Sequence, residues 1–154
     1  MIIRTWAILA FILQLSLPSY AIFWKVIGAC SAQAIEEGIA EIDLNKSVFD
    51  ASKFIFDQNE IPYEVDLNDF SSILSSPFGD SAIETIGENT MRLYHWCSMV
   101  NGSLTYNSSS QVLFSKQSDV LIWYFGYTEY DGHQIVKECA PAFKVAMGNR
   151  FCSK

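Results

Sequence analysis

YHWCSMVNGS, residues 94–103, is the stretch on which the reading of this chain turns. Side chains alternate between the two faces of a strand. His95, Cys97 and Met99 therefore share one face, and Tyr94, Trp96, Ser98 and Val100 the other. Asn101-Gly102 supplies two residues that tolerate positive φ, as a tight hairpin turn requires. The stretch reads as a strand from Met91 to Val100 that runs into a reversal. It also poses a chemical alternative. A cysteine two residues from a histidine can be an activated nucleophile or half of a cross-link.

Downstream, "NSSSQ" reads as loop and "QVLFS" (Gln111–Ser115) as a short strand. Gln117-Ser118-Asp119 turns into "VLIWYFGYTEY", a long aromatic strand to Tyr130. Asp131-Gly132 is a second hairpin signal, and "HQIVKEC" returns to Cys139. Upstream, "SAIETI" (Ser81–Ile86) alternates as a strand does, and Pro77-Phe78-Gly79-Asp80 is a loop. "NDFSSILSS" reads as one helical turn capped by Asn68, and "YEVDL" (Tyr63–Leu67) as a short strand. Ser47-Val48-Phe49-Asp50 carries a helix start, a serine cap with an acid three positions on. That helix places Val48, Ala51, Phe54 and Ile55 on one side and should end near Asn59, because Pro62 disfavours helix at Ile61. "IAEIDL" (Ile39–Leu44) alternates as a half-buried strand. Between Ile22 and Gly38, the spacing of Val26, Ile27, Ala29, Cys30, Ala34 and Ile35 predicts an N-terminal helix. One main helix among several short strands gives an α+β class, an antiparallel-rich sheet with the helix packed on one face.

The first 21 residues stand apart. A basic start at Arg4, the apolar run "TWAILAFILQLSL", and small residues at Ser19 and Ala21 form the three-part pattern of a secretory signal peptide. The apolar run stops at Pro18, short of the roughly 20 residues a membrane span needs. The expected organisation is a signal at 1–21, a helical segment at 22–37 and an α+β domain at 38–154, with no membrane span once the signal is removed. Removing the signal takes away one charge, Arg4, from a net −7, leaving 133 residues at −8. Such an acidic chain repels phosphate backbones and anionic membranes, so nucleic acid is not an expected partner.

Four cysteines remain: Cys30, Cys97, Cys139 and Cys152. An even count in an exported chain indicates disulfides. Three pairings are possible and the sequence alone does not choose among them. Cys139 is a plausible partner for Cys97, since both lie near the long strands. Cys30 and Cys152 would then tie the N-terminal helix to the C-terminus. The absence of Cys-x-x-Cys argues against a thioredoxin-type site, and His95 and His133 lie too far apart in sequence to signal zinc.

"VFDASKFIF" follows a strand, then come "SAIETIG", "YHWCSMVNGS", a polar spacer and "KQSDVLIWYFG". This order of motifs resembles the transcobalamin-like C-terminal domain family, small exported domains of β-grasp type. Trp96, Val100, Asn101, Gly102, Asp119, Trp123 and Tyr124 carry the match, over about Glu37 to Tyr130. The chain departs from the pattern at Ser118, where the family has glycine, and in the insertion "DLNDFSSILSSPFGD" (66–80). The resemblance implies a β-grasp-like sheet and non-catalytic binding or adhesion. Cobalamin is not carried over, because the helical barrel that helps hold it in the namesake proteins does not fit into 133 residues.

The chemistry-bearing residues point the same way. The expected catalytic, cofactor and metal sites are none. Glu129 and Asp131, and Glu36-Glu37, read as solvated surface rather than paired carboxylates. Glu64, Asp66, Asn68 and Asp69 lack the glycine and terminal glutamate of a calcium loop. His95 with Cys97 reads as a cross-link neighbourhood more than a catalytic pair. Tyr94, Trp96, Trp123, Tyr124 and Tyr127 form the candidate binding surface, since aromatics are enriched at interfaces. The expected function is a secreted or periplasmic, non-enzymatic interaction module with protein partners in the envelope or extracellular space. The alternative is a small-molecule domain whose aromatics stack on a corrinoid or a sugar.

Overall fold

The structure, a computed structural model, describes residues 20–67, 69–105, 112–116, 118–145 and 151–152. Nearly all of the proposed signal, the "NSSSQ" loop and the Asn68 cap fall outside the described residues. Tyr20 and Ala21, placed in the signal by the sequence, lie in the first strand.

Nine strands and one α-helix are described: β1 Tyr20–Ile27, β2 Ala34–Ile42, α1 Val48–Gln58, β3 Tyr63–Asp66, β4 Asp69–Ile73, β5 Ile83–Thr85, β6 Thr90–Val100, β7 Ser103–Leu104, β8 Val120–Asp131 and β9 Gln134–Pro141. The class is α+β, mostly sheet. The main sheet runs β2-β1-β8-β6-β5. β7 pairs with the far end of β6, and β9 with the second half of β8. β1 is parallel to β8, from Phe23↔Val120 to Ile27↔Tyr124, and its other pairing, with β2, is antiparallel. β3 and β4 form a separate hairpin.

The structure departs from four of the expected elements. The segment 22–37 is not helical: it is most of β1, a turn and the start of β2. Ile22, Trp24 and Val26 alternate into the core. The outward positions Phe23 and Ile27 are also apolar, so the period of two that marks a strand is blurred. "NDFSSILSS" is strand β4 rather than a helical turn, because Phe70 and Ile73 are buried beside α1. "SAIETI" begins as a 3₁₀ turn and becomes strand only at Ile83. "QVLFS" contributes a single bridge, Leu113 to Ser47.

The helix forms where its cap predicts. The Ser47 hydroxyl accepts from the Asp50 amide at 3.1 Å and donates to the Asp50 carboxylate at 2.7 Å. One orphan donor of the first turn, the Asp50 amide, is thereby satisfied, and losing the hydroxyl would cost about 1 kcal/mol. Val48, Ala51, Ser52, Ile55 and Phe56 face the sheet and are buried. Each of the larger ones contributes about 2 kcal/mol by leaving water. Trp123 of β8 meets them: its indole N–H donates to the Ser52 hydroxyl at 2.9 Å, and its ring lies edge-on to Phe70 at 4.9 Å. The main core lies between this sheet face and the layer made by α1 and β3–β4. The opposite, outer face has no described helix over it.

Candidate functional site: the outer sheet face around His95 and Cys97

Strand parity sends His95, Cys97 and Met99 to the outer face, opposite Gly126, Tyr124 and Ile122 of β8. Cys97 is bonded to Cys139 of β9, with Cα atoms 5.9 Å apart. Delivering Cys139 to this face takes a local irregularity. The β8–β9 register slips between Tyr127 and Glu129, where two steps on β8 oppose three on β9, and Cys139 adopts φ 47°. This is a β-bulge with a left-handed non-glycine residue, a conformation that costs about 1–2 kcal/mol and must be held by its surroundings. The Tyr124 hydroxyl does part of the holding by donating to the Cys139 carbonyl at 2.7 Å. Burial pushes the Tyr124 hydroxyl pKa up to about 12, so it stays a donor.

Gly126 makes the room. A Cβ there would lie 3.1 Å from both the Ala140 carbonyl and the Cys97 sulfur, and 3.2 Å from the Tyr124 ring. The sulfur bridge is walled by Ile27, Met99 and Ile122. This is a second, smaller apolar cluster on the side away from the helix.

His95 borders the bridge. Its Nε2 lies 2.9 Å from the Thr128 hydroxyl, its Nδ1 3.2 Å from the Trp96 carbonyl and 3.9 Å from the Cys97 sulfur. Burial lowers its pKa, outweighing the opposing pull of the Trp96 carbonyl and the Glu138 charge. A neutral ring with Nδ1–H on the Trp96 carbonyl accepts from Thr128 at Nε2. His95, Cys97 and Cys139 present one nitrogen and two sulfurs within 4.8 Å of one another.

The other two cysteines are also paired, Cys30 with Cys152, with Cα atoms 5.5 Å apart. This bridge joins the turn after β1 to the C-terminal segment. No cysteine is free, so no thiol stands ready as a nucleophile.

The five aromatics expected as a binding surface are not one. Tyr94, Trp96, Trp123, Tyr124 and Tyr127 are each no more than 5% exposed. Four face the helix-side core, and Tyr124 lies in the sulfur cluster. The Trp96 indole donates to the Ser76 hydroxyl at 2.6 Å, as a buried ring with a polar tip requires. Tyr94 donates to Glu84 at 2.6 Å, and burial together with that carboxylate pushes its pKa up to about 12. Glu84 belongs to a charge network that sequence reading missed. Arg92 sits 2.8 Å from Glu129 and 3.6 Å from Glu84, and Lys137 sits 3.1 Å from Glu129. The Arg92 guanidinium also stacks 4.9 Å above the Tyr127 ring. Arg92 and Lys137 hold the Glu129 carboxyl below its usual range against burial, so Glu129 is a structural anion and not a proton donor. Strand pairing brings the three into line, Glu84↔Arg92↔Glu129, an alignment that the sequence spacing does not reveal.

An apolar pair and a cavity among the described residues are open to other molecules. On the outer face of the β1–β2 hairpin, Phe23 and Ile39 lie directly opposite each other. They are 53% and 63% exposed. The exposed Lys25–Glu37 ion pair, 3.0 Å, flanks them. On the inner side, a cavity of about 480 Å³ beside Cys30 is lined by Ile35, Ile73, Trp96, Phe125 and Phe151.

No protein-family model matches the chain and no curated protein matches it. Among solved structures, a protein from Ruminococcus gnavus described as a "putative metal binding protein" matches with a TM-score of 0.39 at 19% identity, covering 70% of this chain and 99% of that one.

Proposed function

We propose that this protein is an exported, non-enzymatic interaction module of β-grasp type that binds a protein partner through the outer face of its β1–β2 hairpin. The observation that carries the reading is the Phe23–Ile39 pair. Two large apolar side chains stand side by side in solvent on an edge hairpin. β2 also lies at the edge of the described sheet, a place where a partner strand can add. The rim of Lys25, Glu37 and Glu41 supplies polar specificity around an apolar centre.

The β-grasp reading is supported by the hairpin–helix–strand order and by β1 lying parallel beside β8 in the middle of the sheet. That arrangement accords with the resemblance to transcobalamin-like C-terminal domains. The signal-like start and two disulfides support a secreted or periplasmic place, where the partner would be a component of an envelope or secretion assembly.

The test is site-specific photo-cross-linking in the host with a cross-linker at position 39, with and without Phe23→Asp. A discrete adduct that disappears with Phe23→Asp supports the reading. An adduct that survives the change, or a protein that yields no adduct and stays monomeric, refutes it.

A second reading, small-molecule binding, now rests on the cavity beside Trp96. At about 480 Å³ it falls within the usual range of ligand pockets. Trp96 is the only one of the five expected aromatics that lines it. Quenching of tryptophan fluorescence by a monosaccharide or corrinoid panel would favour this reading; an unchanged spectrum with every compound would end it.

A further inference from the structure

We infer that His95, Cys97 and Cys139 form a latent binding site for a thiophilic ion of the zinc type, closed while the two sulfurs are bonded and opened by reduction. The inference goes beyond the interaction role and uses a different part of the outer face. It begins with placement. Three ligand atoms of the kinds that bind Zn²⁺ converge within 4.8 Å. They come from two strands, and one arrives only because β9 bulges at Cys139 with φ 47°. The bridge passes over β8 to link β6 to β9, and a cross-link alone would not need His95 beside it.

The dimensions suit a tetrahedral ion. Zinc–sulfur bonds of about 2.3 Å and zinc–nitrogen bonds of about 2.0 Å put sulfur and nitrogen roughly 3.6 Å apart across the tetrahedron, and two sulfurs roughly 3.8 Å apart. The Cys97 sulfur and His95 Nδ1 are already 3.9 Å apart. Once the bond opens, the two sulfurs need to separate by less than 2 Å, which the bulge at Cys139 can absorb. An ion with three protein ligands keeps its fourth position for a water molecule.

The support around the ligands is also in place. A ligating imidazole holds its orientation by donating its other N–H to a neighbour. Thr128 lies 2.9 Å from Nε2 and can accept that hydrogen bond. Loading the ion therefore shifts the ring proton from Nδ1, where the Trp96 carbonyl takes it, to Nε2. Ile27, Met99, Ile122 and Tyr124 wall the sulfurs and limit exchange with water.

The chemistry balances with a dithiol reductant of the thiol–disulfide exchange class. One reductant thiolate attacks the sulfur of Cys139, the slightly more exposed residue of the pair, and Cys97 leaves as thiolate. The second reductant thiol then displaces Cys139. The bridge gains two electrons and two protons, and the dithiol becomes a disulfide. Zn²⁺ then displaces both thiol protons.

The test uses the full chain without its signal, folded oxidised and then reduced with a phosphine. Co²⁺ is titrated as a spectroscopic stand-in, followed by Zn²⁺ competition. One equivalent of tetrahedral cobalt with sulfur charge-transfer absorption is expected. It should be absent from the oxidised protein and from the Cys97→Ala/Cys139→Ala variant, which keeps Cys30 and Cys152 as an internal control. His95→Ala should weaken binding at least 10-fold, and Thr128→Val, which leaves every ligand in place, about 10-fold or more. Nitrogen NMR of the imidazole should report the tautomer change on Zn²⁺ addition. Cobalt binding that survives the double cysteine change, or that ignores His95→Ala, overturns the site. So does a reduced protein that keeps its circular dichroism but takes up no cobalt.

Discussion

The side-chain amide of Asn101 donates to the buried carboxylate of Asp119 across 2.8 Å, closing the β6–β7 turn against the start of β8. The same Asn101 accepts from the Val120 amide at 2.9 Å through its side-chain oxygen and donates its own amide to the Val120 carbonyl at 3.0 Å. Asp119 takes further bonds from the Ser115 and Lys116 amides and the Ser115 hydroxyl. The turn residue is thus also a clamp on the next strand. Its left-handed φ of 52° suits glycine as well, so Asn101→Gly removes the clamp and keeps the turn. It should cost about 1–3 kcal/mol, the penalty for leaving a buried acceptor short of a donor. Urea unfolding gives the number, and a change within a few tenths would mean that the asparagine is there for the turn alone.

The pH response follows from the same carboxylate. Burial works to raise the Asp119 pKa, but the donors from Asn101, Ser115 and Lys116 outweigh it and hold the group below its usual 3.8. Glu129 is likewise held below its usual 4.5, chiefly by Arg92. For a carboxylate depressed on folding, the unfolded state binds its proton first as pH falls. The stabilisation is complete above the ordinary carboxylate range and is lost as pH drops through the folded values. Unfolding free energy should therefore be flat from these two groups above about pH 5 and should decline below about pH 4. Asp119→Asn should make that decline shallower; an unchanged slope in acid titrations of the two proteins would contradict the assignment.

The two bridges predict different losses. In the chain-entropy model, a loop of 42 residues between Cys97 and Cys139 is worth about 4 kcal/mol, and one of 122 residues between Cys30 and Cys152 about 5 kcal/mol. Cys30→Ala/Cys152→Ala should also free Phe151, which packs on Tyr94 at 4.9 Å and Phe125 at 5.4 Å. Near-ultraviolet circular dichroism of that variant should lose aromatic signal before far-ultraviolet signal falls. Equal loss of both on a single transition would place the C-terminal segment inside the cooperative unit rather than clipped onto it.

Much of the scaffold was legible because local chemistry and tertiary position agree. The Ser47–Asp50 cap, the Asn101-Gly102 and Asp131-Gly132 turns and the long aromatic strand β8 all stand where their residues place them. The first strand was not legible, since apolar residues on both of its faces erase the alternation that separates strand from helix. The candidate site was half legible. His95 and Cys97 share a face by spacing alone, but the third member, Cys139, arrives through a bulge that no sequence period encodes. The aromatics misled for a related reason. Composition marks a residue as fit for an interface or a core, and only the sheet's pairing decides which. Here the helix and the β3–β4 hairpin claim the inner face, and the exposed apolar pair, Phe23 and Ile39, lies where the sequence had suggested a helix.

Gly126 offers the sharpest test of how tightly the sulfur cluster is built. It sits opposite His95, and a methyl group there would press on a main-chain carbonyl, a disulfide sulfur and a ring at once, at 3.1–3.2 Å. None of these is the free end of a flexible side chain. Overpacking of this kind costs about 1–3 kcal/mol. Gly87 provides the matched control: its nearest neighbour to an added Cβ is the Thr90 hydroxyl at 3.4 Å, so Gly87→Ala should stay within about 0.5 kcal/mol of the parent. If Gly126→Ala unfolds at the same urea concentration as Gly87→Ala, the packing around the Cys97–Cys139 bridge is looser than described. If it is destabilised but regains stability when combined with Cys97→Ala/Cys139→Ala, measured against that double variant alone, the clash is with the bridge itself and not with the Ala140 carbonyl.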